Sequence, residues 1–392
     1  MRLALITETF PPQINGVSRT LGKLAEFMTS HGHELLVIQP EYRDLDKKND
    51  FKINVHDKLK IVSLKAWPLP FYPEIMLPRP PFTTMKKALV EFQPDLVHIA
   101  TEAALGLSAL RFCRRQGWPV VSSFHTNFDA YARHYRMPWL VNIVSKYLRW
   151  FHNRTLATFV PSPTLIHRLE KNGFERLLLW PRGVDAQLFA PQRSGAAEVR
   201  QQWKIPANAF VVGHCGRLAP EKNAEYLEQV FQDFLRLKPA DHLFIVGDGP
   251  SRKSLEMKLN QSPEIASRVH FTGYKTGVAL ADCYSAMNCF AFASRTETFG
   301  NVILEAMASG LPVVALAEGG PVDVIQHQKT GILLSPDAPP SAMVKELQSW
   351  SENQVQASLL GTSARQYAVS QTWDATMSSL LQHYLTIISQ LK

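Results

Sequence analysis

F-V-V-G-H-C-G-R-L-A-P-E-K (210–222) decides the fold. A mostly apolar run of strand length ends at a glycine and passes directly into a polar turn. Such a strand is buried on both faces, as in a parallel sheet covered by helices. Toward the C-terminus the pattern repeats in H-L-F-I-V-G (242–247), R-V-H-F-T-G (268–273), N-C-F-A-F-A (288–293) and P-V-V-A-L (312–316). Toward the N-terminus an independent series runs through residues 3–6, E-L-L-V-I (34–38), D-L-V-H-I-A (95–100), P-V-V-S-S-F (119–124) and A-T-F-V (157–160). Helical spacing lies between most strands: Val17, Leu21, Leu24, Phe27 and Met28 share one face until His31-Gly32 ends the helix. Two strand–helix series separated by a polar stretch near 185–208 predict two doubly wound α/β domains facing each other. In such sheets ligands bind beyond the carboxyl ends of the strands, so the residues after each strand are where chemistry is expected.

Composition narrows the class. The chain has 392 residues, 45% of them hydrophobic, enough for two large cores and too apolar for disorder. No apolar run is long enough to span a bilayer, and the opening reads as a first strand rather than a secretory signal. Cys113, Cys215, Cys283 and Cys289 lie far apart, which points to a reducing, cytoplasmic setting and to no structural metal. Residues 1–185 carry 25 Lys and Arg against 16 Asp and Glu, whereas residues 186–392 carry 17 against 18. The basic first half suits anionic partners: phosphorylated metabolites, nucleic acid or an anionic membrane. No helix-turn-helix, RRM or zinc pattern accompanies it, which argues against nucleic acid.

Several strand ends carry candidate chemistry. After the first strand, T-E-T-F-P-P-Q-I-N-G-V places Gly16 at the mouth of a helix, where backbone N–H groups can meet an anion. After 210–216, Arg217 and Lys222 straddle a proline turn and can converge on a diphosphate, the guanidinium as a fork and the ammonium as a point charge. The most specific block is S-R-T-E-T-F-G-N-V-I-L-E-A-M-A-S-G-L-P-V-V-A (294–315). Glu297 precedes a helix starting near Gly300, and Glu305 falls inside it, four residues from Asn301 on the same face. The two carboxylates can accept hydrogen bonds from sugar hydroxyls while the N–H groups of Phe299, Gly300 and Asn301 face the ligand. An acid inside apolar V-I-L-E-A-M-A is hard to explain as core packing.

Other features read more plainly. G-D-G-P-S-R-K-S (247–254) has Walker-A spacing but Arg252 where a glycine is required. Asp44 and Asp46 lie in a hydrophilic stretch, Pro68–Pro81 reads as an irregular proline-rich loop, and His98 as an ordinary strand residue.

Together, E-T-F-P-P-x-x-N-G-V, G-R-L-x-x-E-K, G-D-G-P and the E-x7-E block resemble the retaining GT-B glycosyltransferases of family 4 over nearly the whole chain. F-H-T-N-F-D-A-Y-A-R-H-Y (124–135) and R-G-V-D (182–185) resemble a branch containing lipid-directed mannosyltransferases and sulfolipid synthases. The resemblance implies two Rossmann-like domains around a cleft. Residues 1–185 would bind the acceptor, joined by a terminal helix over 371–392 that crosses back, and residues 186–370 would bind the nucleotide-sugar. It assigns Arg217 and Lys222 to the donor diphosphate, Glu305 to the ribose, Glu297 and the Phe299–Gly300–Asn301 backbone to the donor sugar, and Gly16 to the phosphates. His125 matches a histidine that contacts the transferred sugar.

The reaction implied is retaining hexosyl transfer from GDP-mannose or a UDP-sugar to a hydroxyl, with the leaving diphosphate stabilised by cations and helix mouths and no metal or other cofactor required. The basic, aromatic stretch 131–154 places Trp139, Leu140, Ile143, Val144, Tyr147, Leu148 and Phe151 on one helical face. That face fits either a core helix or peripheral contact with an anionic membrane; the resemblance favours the contact, at the cytoplasmic side of an inner membrane, and implies a membrane glycolipid or diacylglycerol-type acceptor. A soluble or polysaccharide acceptor, and a GT-B-type nucleotide-sugar epimerase, are the competing readings. A nicotinamide-dependent dehydrogenase lacks its G-x-G-x-x-G signature here.

Overall fold

A computed structural model describes residues 1–13, 15–42, 57–69, 72–125, 138–260 and 262–391. The chain divides into two compact units, Met1–Arg182 with Trp373–Lys392, and Gly183–Thr372.

In the first unit, seven parallel strands run β1 (Arg2–Ile6), β2 (Glu34–Pro40), β3 (Leu59–Leu64), β6 (Leu96–Ile99), β7 (Val120–Ser123), β8 (Thr158–Val160) and β9 (Leu177–Leu179). Their order across the sheet is β3-β2-β1-β6-β7-β8-β9. The continuous apolar runs are explained by helices on both faces. Leu3 and Leu5 of β1 point into one core with Leu21, Leu24 and Met28, whereas Ala4 and Ile6 enter the other with Met85, Leu89 and Leu105. The terminal helix Trp373–Ser389 packs Trp373, Met377, Leu380 and Tyr384 into the first of these cores, so the last residues of the chain fold with the first.

The second unit carries β10 (Val211–Cys215), β11 (His242–Val246), β12 (Val269–Phe271), β13 (Cys289–Phe292), β14 (Val313–Leu316) and β15 (Ile332–Leu334) in the order β12-β11-β10-β13-β14-β15. Numbered from the start of the unit this is 3-2-1-4-5-6, the doubly wound dinucleotide-type order whose topological switch lies between β10 and β13. Phe290 and Phe292 fill one side of the sheet, Cys289 and Ala291 the other.

One expectation is overturned. Much of Pro68–Pro81 is not an irregular loop: β4 (Ala66–Leu69) and β5 (Tyr72–Pro78) pair antiparallel with Trp67 opposite Leu77. Prolines are tolerated because an isolated two-stranded ribbon has edges on both sides, where a missing N–H breaks no ladder bond. Asp44 and Asp46 lie outside the described residues.

The basic aromatic helix, Pro138–His152, is anchored on the body of the unit through Leu148 and Phe151, which are fully buried. Those two members of its apolar face are therefore core. Ile143 is 58% exposed, and Lys146, Arg149 and Arg154 are on the surface. The rest of the stretch, 131–137, lies outside the described residues.

Candidate active site

The switch point brings two strand-end loops of the second unit together, one after β10 and one after β13. After β10 the chain turns through a short 3-10 segment, Pro220–Lys222, and Asn223 takes a left-handed conformation, φ 61°, that its side chain supports by donating to the Ala293 carbonyl at 3.2 Å. The loops are tied again where the Thr296 hydroxyl donates to the Glu221 carbonyl at 3.1 Å. As a result Lys222 Nζ lies 2.8 Å from Glu297 Oε2, although the two are 75 residues apart. Arg217 Nη1 is 4.0 Å from the buried carboxylate of Glu221.

The helix after β13 spans Asn301–Ala308, entered through Gly300 at φ 100°. Glu305 is buried one turn inside it, and the Tyr284 hydroxyl donates to its Oε2 at 3.1 Å. Burial pushes the Tyr284 hydroxyl pKa well up, with nearby Cys215 and the Glu305 carboxylate adding to the rise, so Tyr284 stays a proton donor. Three polar atoms around this corner, Glu221 Oε2, Ser294 Oγ and Asn301 Oδ1, are buried with no hydrogen-bond partner among the described residues. Buried polar atoms ordinarily find partners, so a corner that leaves three open suits a polar ligand.

Two supporting features were not legible in the motifs. Gly320 N donates to the Glu297 carbonyl at 2.9 Å, and a Cβ on Gly320 would stand 2.2 Å from the Phe299 carbonyl oxygen. The A-E-G-G loop (317–320) therefore clamps the Glu297–Gly300 loop from behind. The adjacent glycines were the only sequence signal for it. Similarly, G-D-G-P packs against the loop after β10: Leu218 N donates to the Asp248 carbonyl at 2.9 Å, and a Cβ on Gly249 would lie 2.3 Å from the Leu218 carbonyl oxygen. These glycines serve backbone contact, which accounts for the Walker-like spacing.

In the first unit, Gly16 opens the helix Gly16–Ser30, and Asn15 caps it by accepting from Ser18 N at 2.8 Å. Glu8, just after β1, accepts from the N–H groups of Leu105 and Gly106, and its other oxygen is buried with no partner among the described residues. Burial raises its pKa to about 8 against the pull of those N–H groups. His125 follows β7, fully engaged: Arg182 Nη2 lies 2.9 Å from its Nδ1, and its Nε2 is 2.7 Å from Ser123 Oγ. Burial and the Arg182 charge hold its pKa well below the usual histidine range. His98 is more than an ordinary strand residue, because it joins Ser123 Oγ at 2.9 Å to the Tyr384 hydroxyl at 2.5 Å. Among the described residues no group of three or more His, Cys, Asp or Glu side chains could hold a metal ion.

The family description "Glycosyltransferase Family 4" matches residues 14–188 and "Glycosyl transferases group 1" matches residues 196–367. A GDP-mannose-dependent alpha-mannosyltransferase of Mycobacterium tuberculosis is 34% identical over 98% of this chain and 96% of its own length. The chain belongs to glycosyltransferase family 4. This family 4 glycosyltransferase is also 27% identical to the sulfoquinovosyl transferase of Arabidopsis thaliana over 97% of the chain and 72% of that protein. In fold it is similar to sucrose-phosphate synthase from Thermosynechococcus elongatus, with a TM-score of 0.81, 22% identity and 99% of both chains covered. The two Rossmann-like halves are those of the GT-B fold. Among the described residues no helix is long and apolar enough to cross a membrane.

Proposed function

We propose that this enzyme transfers a hexose, foremost mannose from GDP-mannose, to a hydroxyl of a membrane glycolipid or diacylglycerol-type lipid, with retention of configuration. The observation that carries the donor half is the meeting of Lys222 and Glu297 at the switch point, flanked by Arg217 and the mouth of the Asn301–Ala308 helix. Relatives named as a GDP-mannose-dependent alpha-mannosyltransferase and, in Streptococcus pneumoniae, as an alpha-monoglucosyldiacylglycerol synthase support the preference for sugar and acceptor.

The second unit is the donor-binding half in this reading. As the bond from the anomeric carbon to the diphosphate oxygen breaks, charge builds on the leaving group. Lys222, Arg217 and the N–H groups of Phe299, Gly300 and Asn301 stabilise it without a metal ion. Glu297 accepts from the sugar hydroxyls and Glu305 from the ribose. The acceptor oxygen bonds to the anomeric carbon on the face that the diphosphate leaves, and its proton passes to a donor phosphate oxygen. The first unit is the acceptor-binding half in this reading, with Gly16 assigned to phosphate and His125 to the transferred sugar.

A thermal-shift screen of sugar nucleotides, followed by donor hydrolysis and transfer to diacylglycerol-type lipids, tests this reading. Stabilisation by GDP-mannose together with a mannosylated lipid product supports it. Transfer only to a soluble glycan would overturn the acceptor assignment, and free epimerised sugar nucleotide formed without acceptor would overturn transfer itself. The surface cations of the Pro138–His152 region, with exposed Ile143, fit peripheral contact with anionic lipid at the cytoplasmic face. Co-sedimentation with anionic but not neutral vesicles is the expected result, and failure to bind either at any salt concentration refutes it.

A further inference from the structure

His125 Nδ1 faces a group that can only donate. A guanidinium carries no lone pair to accept with, so the 2.9 Å contact from Arg182 Nη2 requires Nδ1 to be the unprotonated, accepting nitrogen. The ring proton then sits on Nε2 and is donated to Ser123 Oγ, 2.7 Å away. Beyond Ser123 the run continues through His98 to Tyr384 on the terminal helix, so the serine hydroxyl is itself held from the far side.

Arg182 is anchored independently of His125. Its Nη1 donates to the Trp180 carbonyl at 2.7 Å, and its guanidinium carbon lies 4.9 Å from the Trp180 ring centre. It is 5% exposed. Burial lowers its pKa to about 9, which still leaves it charged at neutral pH.

We propose that Arg182 is a positioning residue that locks His125 as a neutral, Nε2-protonated imidazole, with Ser123, His98 and Tyr384 as its buttress. The proposal rests on the reading that His125 serves the transferred sugar, and it deepens it. His125 is then a rigid neutral contact rather than a carrier of protons, because neither ring nitrogen is open to exchange one. The low basicity of both buried histidines, His98 at about 3 and His125 also well down, agrees with this.

The full chain labelled with 15N-histidine tests the arrangement, with His125→Gln identifying the His125 signals among the 13 histidines. The expected spectrum shows His125 neutral with its proton on Nε2 between about pH 6 and 8, where an ordinary histidine titrates. Arg182→Leu is expected to give mixed tautomers, while Arg182→Lys, which keeps a donor, restores the single one. Ser123→Ala should keep the Nε2-protonated form and speed exchange of that proton with solvent, a check that stands even if Arg182→Leu does not fold. Transfer by Arg182→Leu should lose about 10- to 100-fold in kcat, as displaced contacts near reacting atoms do, with donor KM little changed. A wild-type proton on Nδ1, or an unaltered tautomer in Arg182→Leu, overturns the proposal. If the tautomer follows Arg182 yet His125→Ala transfers at the wild-type rate, the lock stands and the sugar-contact role of His125 falls.

Discussion

Lys222→Ala separates charge stabilisation from folding. Lys222 and Glu297 form a 2.8 Å ion pair whose side chains are 21% and 23% exposed. Partly open to water, the pair adds about 1 kcal/mol or less to stability. In a unit of this size that shifts the melting temperature by about 2–4 °C. The catalytic loss is larger and has two parts. Without the ammonium, the Glu297 carboxylate faces an incoming diphosphate uncompensated, and like charges about 4 Å apart at an effective dielectric near 20 repel by about 4 kcal/mol before salt screening. In the proposed reaction the leaving group also loses one of its preorganised stabilisers, which commonly costs about 10²–10³ in rate, or about 2.7–4 kcal/mol. A drop of at least about 10² in kcat, with near-native melting, is therefore expected from a product-forming assay with saturating donor. Adding Glu297→Gln should return nucleoside diphosphate affinity, because the repulsion is gone, but not turnover. A folded Lys222→Ala protein that turns over normally would falsify the role assigned to the switch point.

Other consequences are as direct. Gly320 has a right-handed backbone, φ −53°, so Gly320→Ala acts through space alone: the new methyl would stand 2.2 Å from the Phe299 carbonyl oxygen and push the Glu297 loop aside. A raised donor KM with a cooperative melt is expected, and an unchanged KM removes the clamp. Tyr284→Phe deletes the hydrogen bond to the buried Glu305 carboxylate and should cost about 1–3 kcal/mol in denaturant unfolding, together with weaker donor binding. Glu8 sets a pH dependence. Its pKa is raised to about 8 from an ordinary 4.5, so between those values the folded chain holds a proton that the unfolded chain has released. Stability from this group is complete below about pH 4.5 and falls as pH climbs through about 8. Glu8→Gln should flatten that decline in urea midpoints taken at pH 5, 6.5 and 8, and an identical slope excludes the assignment.

Strand runs such as E-L-L-V-I and N-C-F-A-F-A announced two parallel, helix-covered sheets, because a strand buried on both faces is apolar at most positions. The same logic failed at Pro68–Pro81, where a hairpin with two free edges tolerates residues that a sheet interior rejects. Residue types and local spacing also singled out Arg217, Lys222, Glu297 and Glu305, since cations and acids at strand ends are conspicuous. Partnership was not legible, because ion pairs and hydrogen bonds depend on which loops the strand order juxtaposes. Crossing from β10 to β13 sets Lys222 against Glu297, the Gly319-Gly320 turn braces that loop, and the terminal helix returns Tyr384 to His98 across 286 residues. Periodicity reports what each segment buries; only packed strands decide which side chains meet.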